Sequence, residues 1–260
     1  MADKFYAGVD VGSSATKVVI VDGSGTVASM ALELSGMDFV AASKTALERA
    51  AKDAGTSIDD IAHITSSGYG RKNVEFANDT KTEIACHARG AYQYFREAMT
   101  IVDIGGQDNK IIKLGPDGNR IDFKMNRKCA AGTGAFLEEI ALRMNVDMSK
   151  MDALARKSEE VVTISSFCTV FAATEILSLV RQGAQTRDIA KGAFRSVVKR
   201  VIEMDSLAGT IVATGGVVSH NPIVLELMAE TIGHEVLTPP EPQFSGALGA
   251  ALYAVDEGRQ

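Results

Sequence analysis

The sequence predicts an α/β protein built from two duplicated lobes with a cleft between them. Three strand-like segments are followed by alternating helical and strand-like segments, and this order occurs in both halves of the chain; such alternation is typical of α/β folds. A short motif with Asp, Gly and Lys also recurs at one constant offset. The 260 residues are enough for two small domains. We expect residues 1–97 and 244–260 to form the first lobe and 98–243 the second.

Apolar periodicity and turn residues mark the individual elements. Tight Asp-Gly turns at Asp22-Gly23 and Asp117-Gly118 close two hairpins, and Asn221-Pro222 is typical of a helix start. We expect strands near 5–11, 16–22, 26–33, 61–66, 100–104, 109–115, 119–125, 210–214 and 235–238. We expect helices near 40–54, 83–97, 133–144, 170–182, 187–206, 222–231 and 245–256. The last helix is rich in small residues, which suits close packing.

Composition limits the classes of function. Apolar residues make up 46% of the chain and charged residues 23%, as in an ordinary soluble globular protein. The net charge of −6 and the absence of long Lys or Arg runs give no support for nucleic-acid binding. No apolar run approaches the roughly 20 residues of a membrane span, and no targeting leader precedes the first strand pattern. We therefore expect a cytoplasmic protein that binds neither nucleic acid nor membrane.

The recurring motif has the chemistry of a phosphate-binding hairpin. In each copy a buried strand ends in Asp, a Gly-containing turn follows, and the next strand carries Lys. The spacing of Asp10, Gly12 and Lys17 in the first copy is the same as that of Asp103, Gly105 and Lys110 in the second. Glycine lets backbone N–H groups approach phosphate oxygens, and one or two carboxylates suffice for a hydrated Mg²⁺. The alternative is a pair of ordinary hairpins whose Asp residues cap turns, but two copies in register favour phosphate binding.

A third glycine-rich turn, Gly215-Gly216, follows the strand near 210–214. A backbone without Cβ atoms at this point lets a flat ring approach closely. We therefore interpret this turn as a candidate contact for an adenosine.

The three cysteines are Cys86, Cys129 and Cys168. They are too few for a disulfide framework, and the absence of a C-x-x-C spacing argues against a self-contained zinc site. Cys129 lies at a glycine-rich turn that opens a predicted helix, and Cys168 lies just before another. A helix N-terminus favours a thiolate, so these two are reactive thiols, metal ligands or packed bystanders. Cys86 lies mid-helix beside His87 and is interpreted as packing, or as a minor support for Glu83.

The glycine-rich motifs resemble those of the acetate/sugar kinase, heat-shock chaperone and actin superfamily. The first phosphate loop of that superfamily is similar to D-V-G-S-S-A-T-K, the second to V-D-I-G-G-Q-D-N-K, and the adenosine loop to A-T-G-G-V. The resemblance implies two duplicated actin-like ATPase lobes with a nucleotide cleft that binds ATP/ADP and Mg²⁺. Glu83 resembles a carboxylate that these proteins place near the attacking water.

The same resemblance implies a role for each site residue. Asp10 and Asp103 are expected to orient Mg²⁺, and either Glu83 or Gln107 to position the attacking water, with the choice between them open. Lys17 and the loop at Ser13-Ser14 are expected to contact the β- and γ-phosphates. The residues implied in nucleotide binding are Gly12, Ser13, Ser14, Lys17, Gly105, Gly106, Gln107, Gly215 and Gly216.

A narrower resemblance rests on K-C-A-A-G-T-G, S-S-F-C-T-V-F-A and D-I-G-G-Q-D. These segments resemble the ATP-dependent activators of (R)-2-hydroxyacyl-CoA dehydratases and the ATP-binding subunits of benzoyl-CoA reductases. The resemblance implies a homodimer with one 4Fe–4S cluster, held by Cys129 and Cys168 from each subunit. It also implies a 2-hydroxyacyl-CoA dehydratase or related acyl-CoA reductase as partner, and a ferredoxin or flavodoxin as electron donor.

Two other functions stay open at this point: a small-molecule kinase of the same fold without an iron–sulfur cluster, and a non-enzymatic nucleotide switch. The helix near 187–206 carries Arg187, Lys191 and Arg195, which either flank the adenine base or form a solvated basic face. We favour the solvated face.

Overall fold

The computed structural model describes residues 4–126, 129–166 and 168–259. They form two compact units, each built on its own five-stranded sheet. The first unit comprises residues up to Glu97, Leu114–Ile121 and the residues from Gln243 on; the second comprises Ala98–Lys113 and Asp122–Pro242. Two mixed α/β units of this kind confirm the predicted fold class.

The strands are β1 (Phe5–Val11), β2 (Ala15–Asp22), β3 (Val27–Leu34), β4 (Ile61–Gly68), β5 (Asp79–Thr80), β6 (Met99–Ile104), β7 (Asn109–Leu114), β8 (Arg120–Asn126), β9 (Thr210–Thr214) and β10 (Val236–Leu237). The helices are α1 (Phe39–Asp53), α2 (Glu83–Phe95), α3 (Gly134–Arg143), α4 (Met151–Ala155), α5 (Thr169–Arg181), α6 (Thr186–Met204), α7 (Gly216–His220), α8 (Ile223–Ile232) and α9 (Ser245–Glu257).

In the first unit the strand order is β3-β2-β1-β4-β5, with β1 antiparallel to β2 and parallel to β4. Helices α2 and α9 pack together almost without intervening side chains. A Cβ on Gly249 would lie 1.8 Å from the carbonyl oxygen of Cys86, and one on Gly90 would lie 2.0 Å from that of Ser245. Small residues in α9 therefore permit the close packing that the sequence predicted.

In the second unit the strand order is β10-β9-β6-β7-β8, and β9 runs parallel to both β6 and β10. Its core is filled by large apolar side chains that exclude solvent, among them Phe136, Met151, Ile176 and Phe194. The burial of Phe136 and Ile176 fixes α3 and α5 on this core, and these are the helices that follow Cys129 and Cys168 in the chain.

Three short elements, β5, α4 and α7, were not predicted, and the helix expected from residue 222 begins at Ile223. Helix α3 begins at Gly134, so Cys129 precedes it by a short turn rather than capping it directly. Among the described residues, no helix combines the length and apolar character needed to span a membrane.

Candidate nucleotide and thiol sites

The first candidate phosphate loop connects β1 to β2. Asp10 is buried near the end of β1, and its Oδ2 atom lies 3.6 Å from Nζ of Lys17. The N–H of Gly12 donates a 3.1 Å hydrogen bond to the carbonyl of Ala15, which closes the turn that carries Ser13 and Ser14.

The Asp10 carboxylate is surrounded by closely approaching backbone. A Cβ on Gly68 would lie 2.6 Å from Oδ1 of Asp10, and one on Gly246 would lie 2.9 Å from Oδ2 and 3.0 Å from Nε2 of His87. The two glycines therefore leave the space that the Asp10 carboxylate occupies.

The second candidate loop connects β6 to β7 and repeats the first turn. The N–H of Gly105 donates a 2.9 Å hydrogen bond to the carbonyl of Asp108, as Gly12 does to Ala15. Gly106 and Gln107 lie in this turn, and the Gln107 side chain is exposed. The sequence repeat is therefore also a repeat of backbone geometry.

The lysines of the two loops have different partners. Nζ of Lys110 donates to Oδ2 of Asp103 at 3.0 Å and to Oδ1 of Asp108 at 2.8 Å, and Lys110 is buried. Asp103 also accepts a 3.0 Å hydrogen bond from Oγ1 of Thr214. Lys110 is thus held between two carboxylates, whereas Lys17 has the longer 3.6 Å contact with Asp10.

The third glycine-rich turn joins β9 to α7, and its two glycines differ. Gly215 has a φ of +98°, and a Cβ there would lie 2.4 Å from the carbonyl oxygen of Ile104. A Cβ on Gly216 would meet no atom of the described residues within 4 Å. The fold therefore requires glycine at position 215, while the space beside Gly216 is open.

Glu83 is the first residue of α2 and is buried, and the preceding Thr82 accepts the N–H of Ala85 as the helix cap. Cys86 lies one turn further along α2 and is fully buried. Burial raises the pKa of the Cys86 thiol to about 12. Cys86 is therefore a neutral thiol at physiological pH.

Cys129 and Cys168 are both exposed, in contrast to Cys86. Sγ of Cys129 accepts a 3.4 Å hydrogen bond from the N–H of Ala131, and Cys168 occupies the N-cap position of α5. The described residues contain no group of three or more His, Cys, Asp or Glu side chains that could hold a metal ion. An Fe–S cluster is ligated by thiolates, commonly four. The two exposed thiols have the right chemistry for such a site but are only half of the set.

The turn after Cys129 is hydrogen-bonded to the second candidate phosphate loop. The N–H groups of Gly134 and Ala135 donate to the carbonyls of Gly105 and Gly106 at 2.9 and 2.8 Å. Nδ2 of Asn109 donates to the carbonyl of Gly132 at 2.7 Å. Two hydrogen bonds therefore connect the loop directly to the start of α3, and a third connects the start of β7 to the turn before α3.

Two side chains that no local sequence pattern indicates form hydrogen bonds with the candidate thiol and phosphate sites. Glu175 on α5 accepts the backbone N–H groups of Ser165 and Ser166, which lie just before Cys168 in the chain. Thr214 at the end of β9 donates to Asp103. Two of the three basic residues named on α6, by contrast, pair with exposed carboxylates, Arg187 with Glu159 and Arg195 with Glu230. These pairs favour the solvated basic face over an adenine contact.

A family model for the BadF/BadG/BcrA/BcrD ATPases matches residues 7–254. The chain belongs to this ATPase family. The 2-hydroxyisocaproyl-CoA dehydratase activator of Clostridioides difficile is 41% identical over 260 residues, covering 98% of this chain and 97% of the relative. The (R)-2-hydroxyglutaryl-CoA dehydratase activating ATPase of Acidaminococcus fermentans is 39% identical over 254 residues, covering 96% of each chain.

Solved structures agree with this family membership. Component A of the Acidaminococcus fermentans (R)-2-hydroxyglutaryl-CoA dehydratase superposes with a TM-score of 0.94 at 37% identity, covering 99% of this chain and 100% of that one. The Clostridium difficile activator with bound ADPNP gives a TM-score of 0.92 at 39% identity, covering 98% and 96%. The resemblance to dehydratase activators predicted from the sequence is thereby confirmed.

Proposed function

We propose that this BadF/BadG/BcrA/BcrD family member is a homodimeric, ATP-hydrolysing activator that delivers a low-potential electron to a 2-hydroxyacyl-CoA dehydratase or a related acyl-CoA reductase. The observation that carries the proposal is the pair of hydrogen bonds from Gly134 and Ala135 to Gly105 and Gly106. They connect the candidate nucleotide loop to the segment that carries Cys129. A nucleotide-dependent shift of the loop is therefore transmitted to the thiol.

Cys129 and Cys168 would hold a 4Fe–4S cluster together with the same two residues of a second copy, because two-fold symmetry doubles every ligand. When bound, such a cluster supplies one-electron transfer at low potential. Exposed apolar side chains along α5, the helix that follows Cys168, support association with a second copy. Val170, Phe171, Leu177 and Val180 are all more than half exposed on α5, and a face of this kind is typical of an association surface.

The nucleotide roles follow from the geometry of each loop. Lys17, with its longer contact to Asp10, is the better candidate for the phosphates, together with Gly12, Ser13 and Ser14. Asp10 and Asp103 would orient Mg²⁺, since each is the penultimate residue of a strand that leads into a phosphate-type turn. Gly105, Gly106, Gly215 and Gly216 would contact the nucleotide through their backbones.

Either Glu83 or Gln107 would position the hydrolytic water. Glu83 is buried at the start of α2, whereas Gln107 is exposed in the second loop. The two residues therefore differ in how rigidly the fold holds them, and both side chains are able to orient water in phosphoryl transfer. We propose a cytoplasmic location and a ferredoxin or flavodoxin as donor on the family resemblance alone.

Anaerobic purification followed by iron, sulfide and mass analysis tests the proposal. The wild-type protein is expected to be a dimer with about four irons per two chains, as one 4Fe–4S cluster requires. Cys129→Ala and Cys168→Ala are each expected to lose the iron while ATP binding is retained. Cys86→Ala is the matched control, because its thiol is buried and neutral, and should keep the iron.

A monomeric, iron-free protein that still binds ATP would contradict the proposal. A coupled assay then separates the alternatives: reduction of an added dehydratase indicates an activator, whereas a phosphorylated acceptor indicates a kinase. The two readouts use different products and cannot be confused.

A further inference from the structure

A pocket of about 370 Å³ lies in the first unit, on the faces of α2 and α9 and beside the turn between β2 and β3. Its volume falls within the roughly 300–1,000 Å³ of small-molecule sites. None of the residues that line it belongs to the candidate phosphate loops or to the thiol segments. The proposed function therefore leaves this pocket without a role.

The lining of the pocket is strongly basic. Its described residues include the three arginines Arg89, Arg96 and Arg259 and the single carboxylate Asp256, a formal excess of two positive charges. The whole chain has a net charge of −6, so this is a local reversal of sign. A concave site of one sign concentrates ligands of the opposite charge.

Among the residues that the structure describes, only one of the three arginines is paired with a carboxylate. Arg89 donates to Oδ2 of Asp256 at 3.1 Å. Arg259 donates to the carbonyl oxygen of Gly23, which carries no formal charge. Arg96 forms no ion pair or side-chain hydrogen bond within the described residues. Two guanidinium groups therefore remain available for an anion, and their planar shape suits carboxylate or phosphate oxygens.

The backbone of Arg96 gives a second reason to regard the cation as functional. This residue caps α2 in the left-handed region, with a φ of +49°. Glycine usually occupies such a position because a side chain is disfavoured there. The helix dipole also favours a cation at a helix C-terminus, an effect on stability that is measured separately from the affinity for an anion.

The pocket also has an apolar side. Leu252 and Val255 of α9 also line it, and Tyr92 and Gln93 of α2 add polar atoms. A ligand with an acidic group and a small carbon skeleton would use both kinds of surface.

We propose that this pocket binds a small organic anion whose phosphate or carboxylate group is held by Arg96 and Arg259. Leu252 and Val255 contact the carbon skeleton of the ligand. No residue of the candidate nucleotide-binding motifs lines the pocket. Binding of an anion here therefore does not depend on the proposed activator function.

Calorimetric titration of the full-length protein tests this site. ADP is kept at saturation so that the nucleotide site does not take up the probes, which are glycerol 3-phosphate and succinate. At least one probe is expected to bind at a single site with a dissociation constant below about 1 mM. Binding of only the first indicates a phosphate ligand, and binding of only the second indicates a carboxylate ligand.

Two variants remove the proposed contacts. Arg96→Gly and Arg259→Gln are each expected to weaken binding about tenfold or more, as loss of a charged hydrogen bond does. Arg96→Gly should keep or raise the melting temperature, because glycine tolerates the positive φ. If the melting temperature is kept, weaker anion binding by this variant is due to the missing side chain and not to unfolding.

Arg49→Gln is the matched control, since Arg49 is a half-exposed arginine on α1 of the same unit and does not line the pocket. Its affinity for the probe should stay within about twofold of wild type if the effect depends on direct contacts. The proposal is overturned if neither probe binds, if Arg96→Gly binds as tightly as wild type, or if Arg49→Gln loses as much affinity as the pocket variants.

Discussion

The Oε2 atom of Glu175 accepts a 2.7 Å hydrogen bond from the backbone N–H of Ser166, two positions before Cys168. Its Oε1 atom accepts the N–H of Ser165 at 2.8 Å. The Glu175 carboxylate, which belongs to α5, thus holds the chain segment that immediately precedes α5. The position of the Cys168 thiol therefore depends on a side chain seven residues further along the chain.

We expect Glu175→Gln to make the proposed cluster more labile. The amide keeps the size of the side chain but replaces one of two accepting oxygens by a donor, which costs about 1–3 kcal/mol in a site of this kind. Iron release to a chelator under anaerobic conditions should be faster than in wild type. Glu139→Gln, which alters only an exposed i,i+4 pair with Arg143, is the control and should leave the release rate unchanged. Equal release rates for both variants and wild type would show that Glu175 has no influence on Cys168.

Gly134→Ala tests the connection between the second loop and α3. A Cβ at this position would lie 3.3 Å from Cα of Gly106 and 3.3 Å from Cγ2 of Val217, so the start of α3 must shift slightly. ATP hydrolysis is expected to continue, while the number of electrons delivered per ATP hydrolysed falls. The ratio is measured by following phosphate release and partner reduction in one reaction.

Gly23→Ala is the control for this variant, because its Cβ would meet nothing within 4 Å. Its electron-to-ATP ratio should match that of wild type. A wild-type ratio in Gly134→Ala would mean that the hydrogen bonds to Gly105 and Gly106 do not transmit the nucleotide state.

We expect replacement of Lys110 to reduce mainly stability and replacement of Lys17 to reduce mainly ATP binding. Lys110→Met removes a buried cation shared by Asp103 and Asp108, and breaking such a group costs about 3–5 kcal/mol of stability. Lys17→Met should have the smaller effect on unfolding by urea but weaken ATP binding about tenfold or more, as loss of a charged phosphate contact does. The reverse pattern, with Lys110→Met stable and deficient in ATP binding, would exchange the roles that we assign.

Gly216→Ala distinguishes a ligand requirement from a folding requirement. Because a Cβ there meets no described atom within 4 Å, the variant should be as stable as wild type, yet the methyl group would stand where we place the adenosine. We expect weaker ATP binding in a fluorescence titration and an unchanged melting temperature. Gly215→Ala, with its φ of +98°, should lose stability instead. Wild-type affinity in Gly216→Ala would remove this glycine from the adenosine site.

The fold class and both phosphate-type hairpins were predictable because their signals are local. Apolar runs that end in Asp and Gly produced the expected strands, and the repeat of spacing became a repeat of the Gly12 and Gly105 hydrogen bonds. The different pairing of the two lysines also has a sequence signal. Asp108 stands in the second motif where Ala15 stands in the first, and this extra carboxylate binds Lys110.

Other features had no local signal. Helices α4 and α7 have five residues each, too few for a repeating apolar pattern. The hydrogen bonds between Glu175 and the segment before Cys168 join residues nine and ten positions apart, and no local pattern in either segment indicates them. The pocket that contains Arg89, Arg96 and Arg259 is lined by α2 and by the C-terminal part of the chain around α9. These segments are far apart in the sequence, so only the folded chain brings the charges together.

Asp205 makes the stability of the second unit depend on pH. Its buried carboxylate lies 2.9 Å from Nζ of both Lys113 and Lys124 and accepts the N–H of Leu207 at 3.1 Å. Burial alone raises the pKa of Asp205, but the hydrogen bonds from the two lysines and from Leu207 outweigh it and leave the pKa below the ordinary value of 3.8. The stability that depends on the ionised form is therefore fully present above about pH 4 and is lost as the pH falls through the lowered pKa.

We expect Asp205→Asn to lower the free energy of unfolding at pH 7 by about 1–3 kcal/mol, the usual effect of losing hydrogen bonds to a charged group. The difference from wild type should shrink below about pH 4, where the Asp205 carboxyl of the unfolded wild-type chain begins to take up a proton while that of the folded chain stays ionised. Urea unfolding at a series of pH values measures both effects. The exposed Asp59 supplies the control, and Asp59→Asn should stay close to wild type at neutral pH. A difference between Asp205→Asn and wild type that stays constant from pH 7 to the acid limit would show that packing of the side chain, rather than its charge, stabilises this corner of the unit.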